Sequence, residues 1–202
     1  GGNWYNGELQ HYTNQLSNSF VDAGFLNIVA KKETFTDQGY TKQYTSARLN
    51  SKFAFLYGRI DVRAKIPVAQ GTWPAIWTLG KNINEDGGFF DALYGTTNWP
   101  ACGEIDIMEH VGNNQNQVHG TLHYPGNSGG NANGASTTVP TASTEFHNYT
   151  VDWSPTAIRI LVDDSVYFTF PNTSTTPFNN DFFLILNVAM GGTNGGAIDP
   201  NF

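Results

Sequence analysis

Apolar and polar residues alternate with a period of two along most of this chain. That pattern predicts β-strands at 8–13, 24–31, 46–65, 71–80, 117–124, 146–153, 157–163, 166–170 and 182–189. The stretch 46–65 reads as two strands joined near Phe55. In its second half Ile60, Val62 and Ala64 share one face, and Arg59, Asp61, Arg63 and Lys65 share the other. In 71–80, Trp73, Ala75 and Trp77 lie together, with Ile76 opposite. Ser154-Pro155 and Asp163-Asp164 read as turns. Loops are expected at 81–98, 125–144 and 191–196, where Gly, Asn, Ser and Thr accumulate. No segment shows a convincing helical period, and no repeat or linker divides the chain. These features predict a single all-β domain of sandwich type.

Within this pattern Glu104, Asp106 and Glu109 crowd three acids into six residues among apolar neighbours. On a strand, Glu104 and Asp106 point one way, and Ile105 and Ile107 the other. Strict alternation sends Glu109 to the wrong face. One extra residue between Asp106 and Glu109, a bulge, returns it to the acids. Three like charges on one face repel, so at least one keeps its proton to higher pH. Two carboxyl groups with separated pKa values are what glycoside hydrolysis requires. A metal site and a solvated acidic face are the alternatives. A solvated face rarely carries Ile-Asp-Ile-Met between its acids.

Composition narrows the partners. The 202 residues hold 10 Lys+Arg against 17 Asp+Glu, a formal charge of −7, which disfavours nucleic acid and anionic membranes. A neutral polymer suits this surface better than a sulfated one. Fourteen Phe, nine Tyr and five Trp fit both β-core packing and a sugar cleft. Cys102 stands alone, so the chain forms no internal disulfide, and packing is its expected role. Neither a signal peptide nor a transmembrane run is visible, and the opening Gly1-Gly2 reads as a processed or trimmed chain.

The run Gly103-Glu104-Ile105-Asp106-Ile107-Met108-Glu109 resembles the E-x-D-x-x-E signature of glycoside hydrolase family 16. Flanking blocks fit its laminarinase branch: Glu8-Leu9-Gln10, Tyr57 through Lys65, Gly71-Thr72-Trp73-Pro74-Ala75-Ile76-Trp77, and His119 through Tyr124. The resemblance implies a concanavalin-like jelly roll of two antiparallel sheets with a glucan groove on its concave face. It implies retaining endo-hydrolysis of β-1,3-glucan, with mixed-linkage glucan as a further substrate. A glucan-binding module without catalysis and a transglycosylase are the other readings. Glu104 would be the nucleophile, Glu109 the acid and then the base, and Asp106 a partner that orients Glu104 or shares its proton. Trp99 would stack beside the cleavage point. Of Trp73 and Trp77, one would stack on sugar and one stand in the wall. Asp61, Arg63 and His123 would bond to hydroxyls, although most members have Glu where Asp61 stands, and Asn6 would do the same or serve as a turn residue beside Gly7. Asn187, an amide among apolar residues, would bond to sugar or to backbone. The first and last strands usual in the family have no counterpart here, and its structural calcium draws on those ends. No cofactor or metal is therefore expected. The partner would be a neutral β-glucan, the protein a monomer, and its place extracellular or periplasmic, as a polymeric substrate requires.

Overall fold

The computed structural model describes residues 4–202; the Gly1-Gly2 opening lies outside them. In chain order the strands are β1 (Gln10–Tyr12), β2 (Ser19–Asp22), β3 (Phe25–Ile28), β4 (Lys31–Asp37), β5 (Tyr40–Ser46), β6 (Arg48–Asn50), β7 (Gly58–Ala64) and β8 (Thr72–Gly80). Then come β9 (Glu104–His110), β10 (Gln117–His123), β11 (Asn133–Thr138), β12 (His147–Trp153), β13 (Ala157–Val162), β14 (Ser165–Pro171) and β15 (Phe182–Met190). Two four-residue helices, α1 (Asp91–Tyr94) and α2 (Gly192–Gly195), sit in loops.

Two sheets make the sandwich. One has the order β11-β10-β9-β8-β15-β6, the other β14-β13-β12-β7. Every strand pair within these two is antiparallel. Between them lies the core, where Ile105, Ile107, Met108, Val118 and Leu122 meet Tyr149, Val151, Trp153 and Ile158. Trp153 is buried and spends its indole N–H on the Phe178 carbonyl at 3.1 Å. A three-stranded sheet, β1-β5-β4, with a parallel β1–β5 pair, and the β2–β3 hairpin complete the fold.

The period of two located most of the sandwich strands but missed β11 of the six-stranded sheet and three strands outside the sandwich. β11 lies inside the expected 125–144 loop, and β2, β4 and β5 fall where the alternation gave no clear signal. Residues 133–138 and 31–46 are rich in Thr, Ser, Asn and Lys, so neither face of those strands is strongly apolar.

A second apolar cluster lies on the other side of the six-stranded sheet. There Ile83 and Cys102 from the 81–103 segment pack on Leu79, Phe183 and Ile185. Arg48 of β6 pairs with Glu85 of the same segment at 2.7 Å. This segment thus forms a wall standing on the sheet face turned away from the core.

Candidate active site

β9 contains the extra residue that its sequence requires. Against β8, Met108 pairs with Ile76 and Asp106 with Trp77, leaving Ile107 with no partner of its own. Against β10, Glu109 pairs with His119 and Asp106 with Thr121. Two consecutive side chains, Ile107 and Met108, therefore both enter the core, and Glu109 returns to the face of Glu104 and Asp106. Gly120 sits opposite the bulge. A Cβ there would lie 2.7 Å from both Ile160 Cδ1 and the Tyr167 hydroxyl.

Cross-strand register lays out the rest of the face. One row runs His123, Glu104, Leu79, Phe183; the next runs Thr121, Asp106, Trp77, Ile185, Asn50; the third runs His119, Glu109, Ala75, Asn187, Arg48. The acids are held by specific donors. Trp99, half-exposed on the wall, donates its indole N–H to Glu104 Oε2 at 2.8 Å. Trp73 is buried and donates to Glu109 Oε1 at 3.0 Å. His123 Nδ1 accepts the Gly129 N–H at 3.1 Å, so its proton sits on Nε2. Nε2 lies 3.1 Å from Asp106 Oδ2 and 3.7 Å from Glu104 Oε1.

Burial pushes all three carboxyls upward. Glu104 rises well above its ordinary range, first through desolvation and then through the neighbouring Asp106 charge. Asp106 rises likewise through desolvation and the Glu109 charge, while its hydrogen bond with Glu104 opposes the rise. Glu109 rises through desolvation, against the Trp73 and Thr121 hydrogen bonds and the electrostatic pull of His123 and His119. Asp106 is the most enclosed of the three and lies within hydrogen-bonding reach of Glu104. The two can share one proton, and the Trp99 N–H favours the ionised form of Glu104. Glu104, Asp106 and His123 also present three potential ligand atoms within 4.8 Å of one another. With Nδ1 accepting from Gly129, the neutral imidazole carries its proton on Nε2 and offers no lone pair to an ion. The cluster is arranged for proton sharing.

The comparisons with known proteins agree with this geometry. The profile of Glycosyl hydrolases family 16 matches residues 10–201. The chain belongs to this family. A β-glucanase of Rhodothermus marinus is 43% identical over 216 residues, spanning 99% of this chain and 71% of that protein. A glucan endo-1,3-β-glucosidase A1 of Niallia circulans is 37% identical, covering 98% of this chain and 30% of its own length. LamA of Z. galactanivorans, solved in a variant form with laminaritriose and laminaritetraose, superposes with a TM-score of 0.94 at 48% identity, over 100% of this chain and 82% of that one.

Of the residues expected to contact substrate, the sheet face gathers Trp73, Trp77, Trp99, His123 and Asn187 with the acids. Asp61 and Arg63 are corrected. Both sit on β7, in the opposite sheet, and point outward from the sandwich. Asp61 accepts from Arg59 at 3.0 Å and Thr150 at 2.7 Å, and the Arg63 guanidinium lies 4.6 Å from the Phe146 ring centre. Alternation placed them correctly opposite Ile60 and Val62, but it does not say which sheet bears the groove. Asn6 occupies an exposed turn at φ 62°, and its carbonyl adjoins Gly192 of α2, at the rim rather than among the acids. Trp73 serves the wall by holding Glu109, and Asn187 spends its amide on Trp77 and Tyr12 rather than on backbone.

Arg48 was missed. Its side chain is nine-tenths buried, with its guanidinium carbon 5.5 Å from the Trp4 ring centre and 5.2 Å from that of Trp77. Nη1 bonds to Glu85, while Nε and Nη2 have no hydrogen-bond partner among the described residues. Two buried donors beside an aromatic ring, in the row of Glu109, suit sugar hydroxyls. β6 is three residues long and pairs with β15, far along the chain, so no local signal marks it.

Proposed function

We propose that this protein is an endo-β-1,3-glucanase of laminarinase type that cleaves with retention. The observation that carries this reading is the bulge in β9, which gathers Glu104, Asp106 and Glu109 on one walled, tryptophan-lined face. The ionised Glu104 attacks the anomeric carbon as the glycosidic C–O bond breaks. Glu109 gives its proton to the departing oxygen, and a covalent glycosyl ester forms. A water then enters, Glu109 takes its proton, and the oxygen bonds to the same carbon, releasing the Glu104 carboxylate. Asp106 orients Glu104 and shares its proton. Trp99 stacks on a pyranose beside the cleavage point, Trp77 and Arg48 take up sugar farther along, and His123 stands against Glu104 and Asp106.

The ligand is a neutral β-glucan, in keeping with the acidic surface and with the laminari-oligosaccharides bound to LamA. Retention of both Glu104 and Glu109 favours turnover over mere binding. A polymeric substrate places the protein outside the cytoplasm, and the chain acts as a monomer. Incubation with laminarin, mixed-linkage glucan, agarose and carrageenan in parallel tests the reading. New reducing ends from laminarin, and none from agarose or carrageenan, are expected. A folded protein that leaves laminarin intact would overturn it.

A further inference from the structure

We propose that Glu8, Tyr12 and Asn187 are positioning residues for the distal end of the sugar groove, acting through the Trp77 indole and the Arg48 guanidinium stacked on it. This rests on the reading of that face as a glucan site. Three hydrogen bonds run head to tail to Glu8, and a fourth meets them there from Gln10. Trp77 Nε1 donates to Asn187 Oδ1 at 2.7 Å, and Asn187 Nδ2 donates to the Tyr12 hydroxyl at 2.9 Å. The Tyr12 hydroxyl donates to Glu8 Oε2 at 3.1 Å, where Gln10 Nε2 also donates at 2.6 Å.

The direction of this chain is fixed from its far end. The Met190 backbone N–H donates to Gln10 Oε1 at 2.7 Å, so the Gln10 NH2 must face Glu8. Glu8 Oε2 is then an acceptor of two protons, and the Tyr12 proton must point at it. Tyr12 can only accept from Asn187, which turns the Asn187 carbonyl toward Trp77. A flipped Asn187 would set an NH2 against the indole N–H, donor against donor. The indole has one N–H, so committing it fixes the ring plane. Arg48 lies over that ring, three strand spacings or about 14 Å from β9. Chains of aligned hydrogen bonds polarise one another, so breaking any link weakens the rest. Burial raises the Glu8 carboxyl, while its Gln10 and Tyr12 donors pull the other way.

The test is calorimetric titration of laminarihexaose into proteins carrying Glu104→Gln, which bind without turnover. Tyr12→Phe keeps its ring and loses two hydrogen bonds, Trp77→Phe keeps a ring and loses one, and each weakens binding about five- to tenfold. Combined, they weaken it no more than the larger single loss, because both break one chain. Glu8→Gln, which keeps an acceptor oxygen, retains affinity within about twofold, while Glu8→Ala loses as much as Tyr12→Phe. Losses that multiply, or a folded Tyr12→Phe that binds normally, overturn the proposal. Should Tyr12→Phe fail to fold, the contrast between Glu8→Gln and Glu8→Ala decides the matter from the other end of the chain. A wild-type protein that binds hexaose with this coupling yet releases no reducing ends would sink the hydrolase reading and leave the positioning chain standing.

Discussion

Glu104, Asp106 and Glu109 are costly neighbours, since each is desolvated and two of them lie beside another negative charge. An acid whose folded pKa exceeds its unfolded value binds more protons when folded. Stability therefore falls as pH rises from the unfolded carboxyl range, about 4, toward the raised folded value. Glu104→Gln removes a charge from this cluster. It should abolish glucan cleavage, lowering kcat at least about a thousandfold. It should also raise the melting temperature at pH 7, by a margin that shrinks toward pH 4. Activity assays and thermal melts across pH check both halves. Glu109 must hold its proton to act as acid, and the Trp73 N–H favours the ionised form. Trp73→Phe should therefore move the alkaline limb of the kcat/KM profile to higher pH. At this scale the acids were readable because their spacing breaks a period of two by one residue. Asp61 and Arg63 were misplaced because outward and groove-facing positions obey the same alternation.

At the scale of elements, β9 works only as a bulged strand between two regular ones. Its partner β10 accommodates the kink through Gly120, whose missing Cβ leaves room for Ile160 and Tyr167. Gly120→Ala should destabilise the fold by about 1–3 kcal/mol in denaturant unfolding, with a matching loss of activity at temperatures near the melt. Cys102 belongs to this scale too. It is buried under the wall segment, its thiol is pushed up to about 12 chiefly by desolvation, and it packs rather than reacts. The sequence marked the bulge and the long loop at 81–98 well. It hid β11 and β4–β5, whose polar composition resembles that of loops. It also hid Arg48, whose place depends on β6 finding β15 across the whole length of the chain.

Across the whole molecule, the six-stranded sheet supplies one face to the core and the other to chemistry. Strands adjacent in that sheet are often distant in sequence, as β8 and β15 are, so alternation can identify the strands without revealing their order. The family resemblance implied the jelly roll, and the register then placed the three acids, His123, Trp77, Asn187 and Arg48 in three rows. The formal charge of −7 is carried without a charged substrate partner, so the affinity for laminarin should change less than about twofold between low salt and 0.5 M NaCl. The central claim is that one kinked strand brings a nucleophile and an acid from one sheet face to flank a single glycosidic bond. Proton NMR of laminarin during the first minutes of cleavage tests it most directly. The account predicts that the new reducing ends appear first as the β-anomer and only later mutarotate; first appearance as the α-anomer would contradict it.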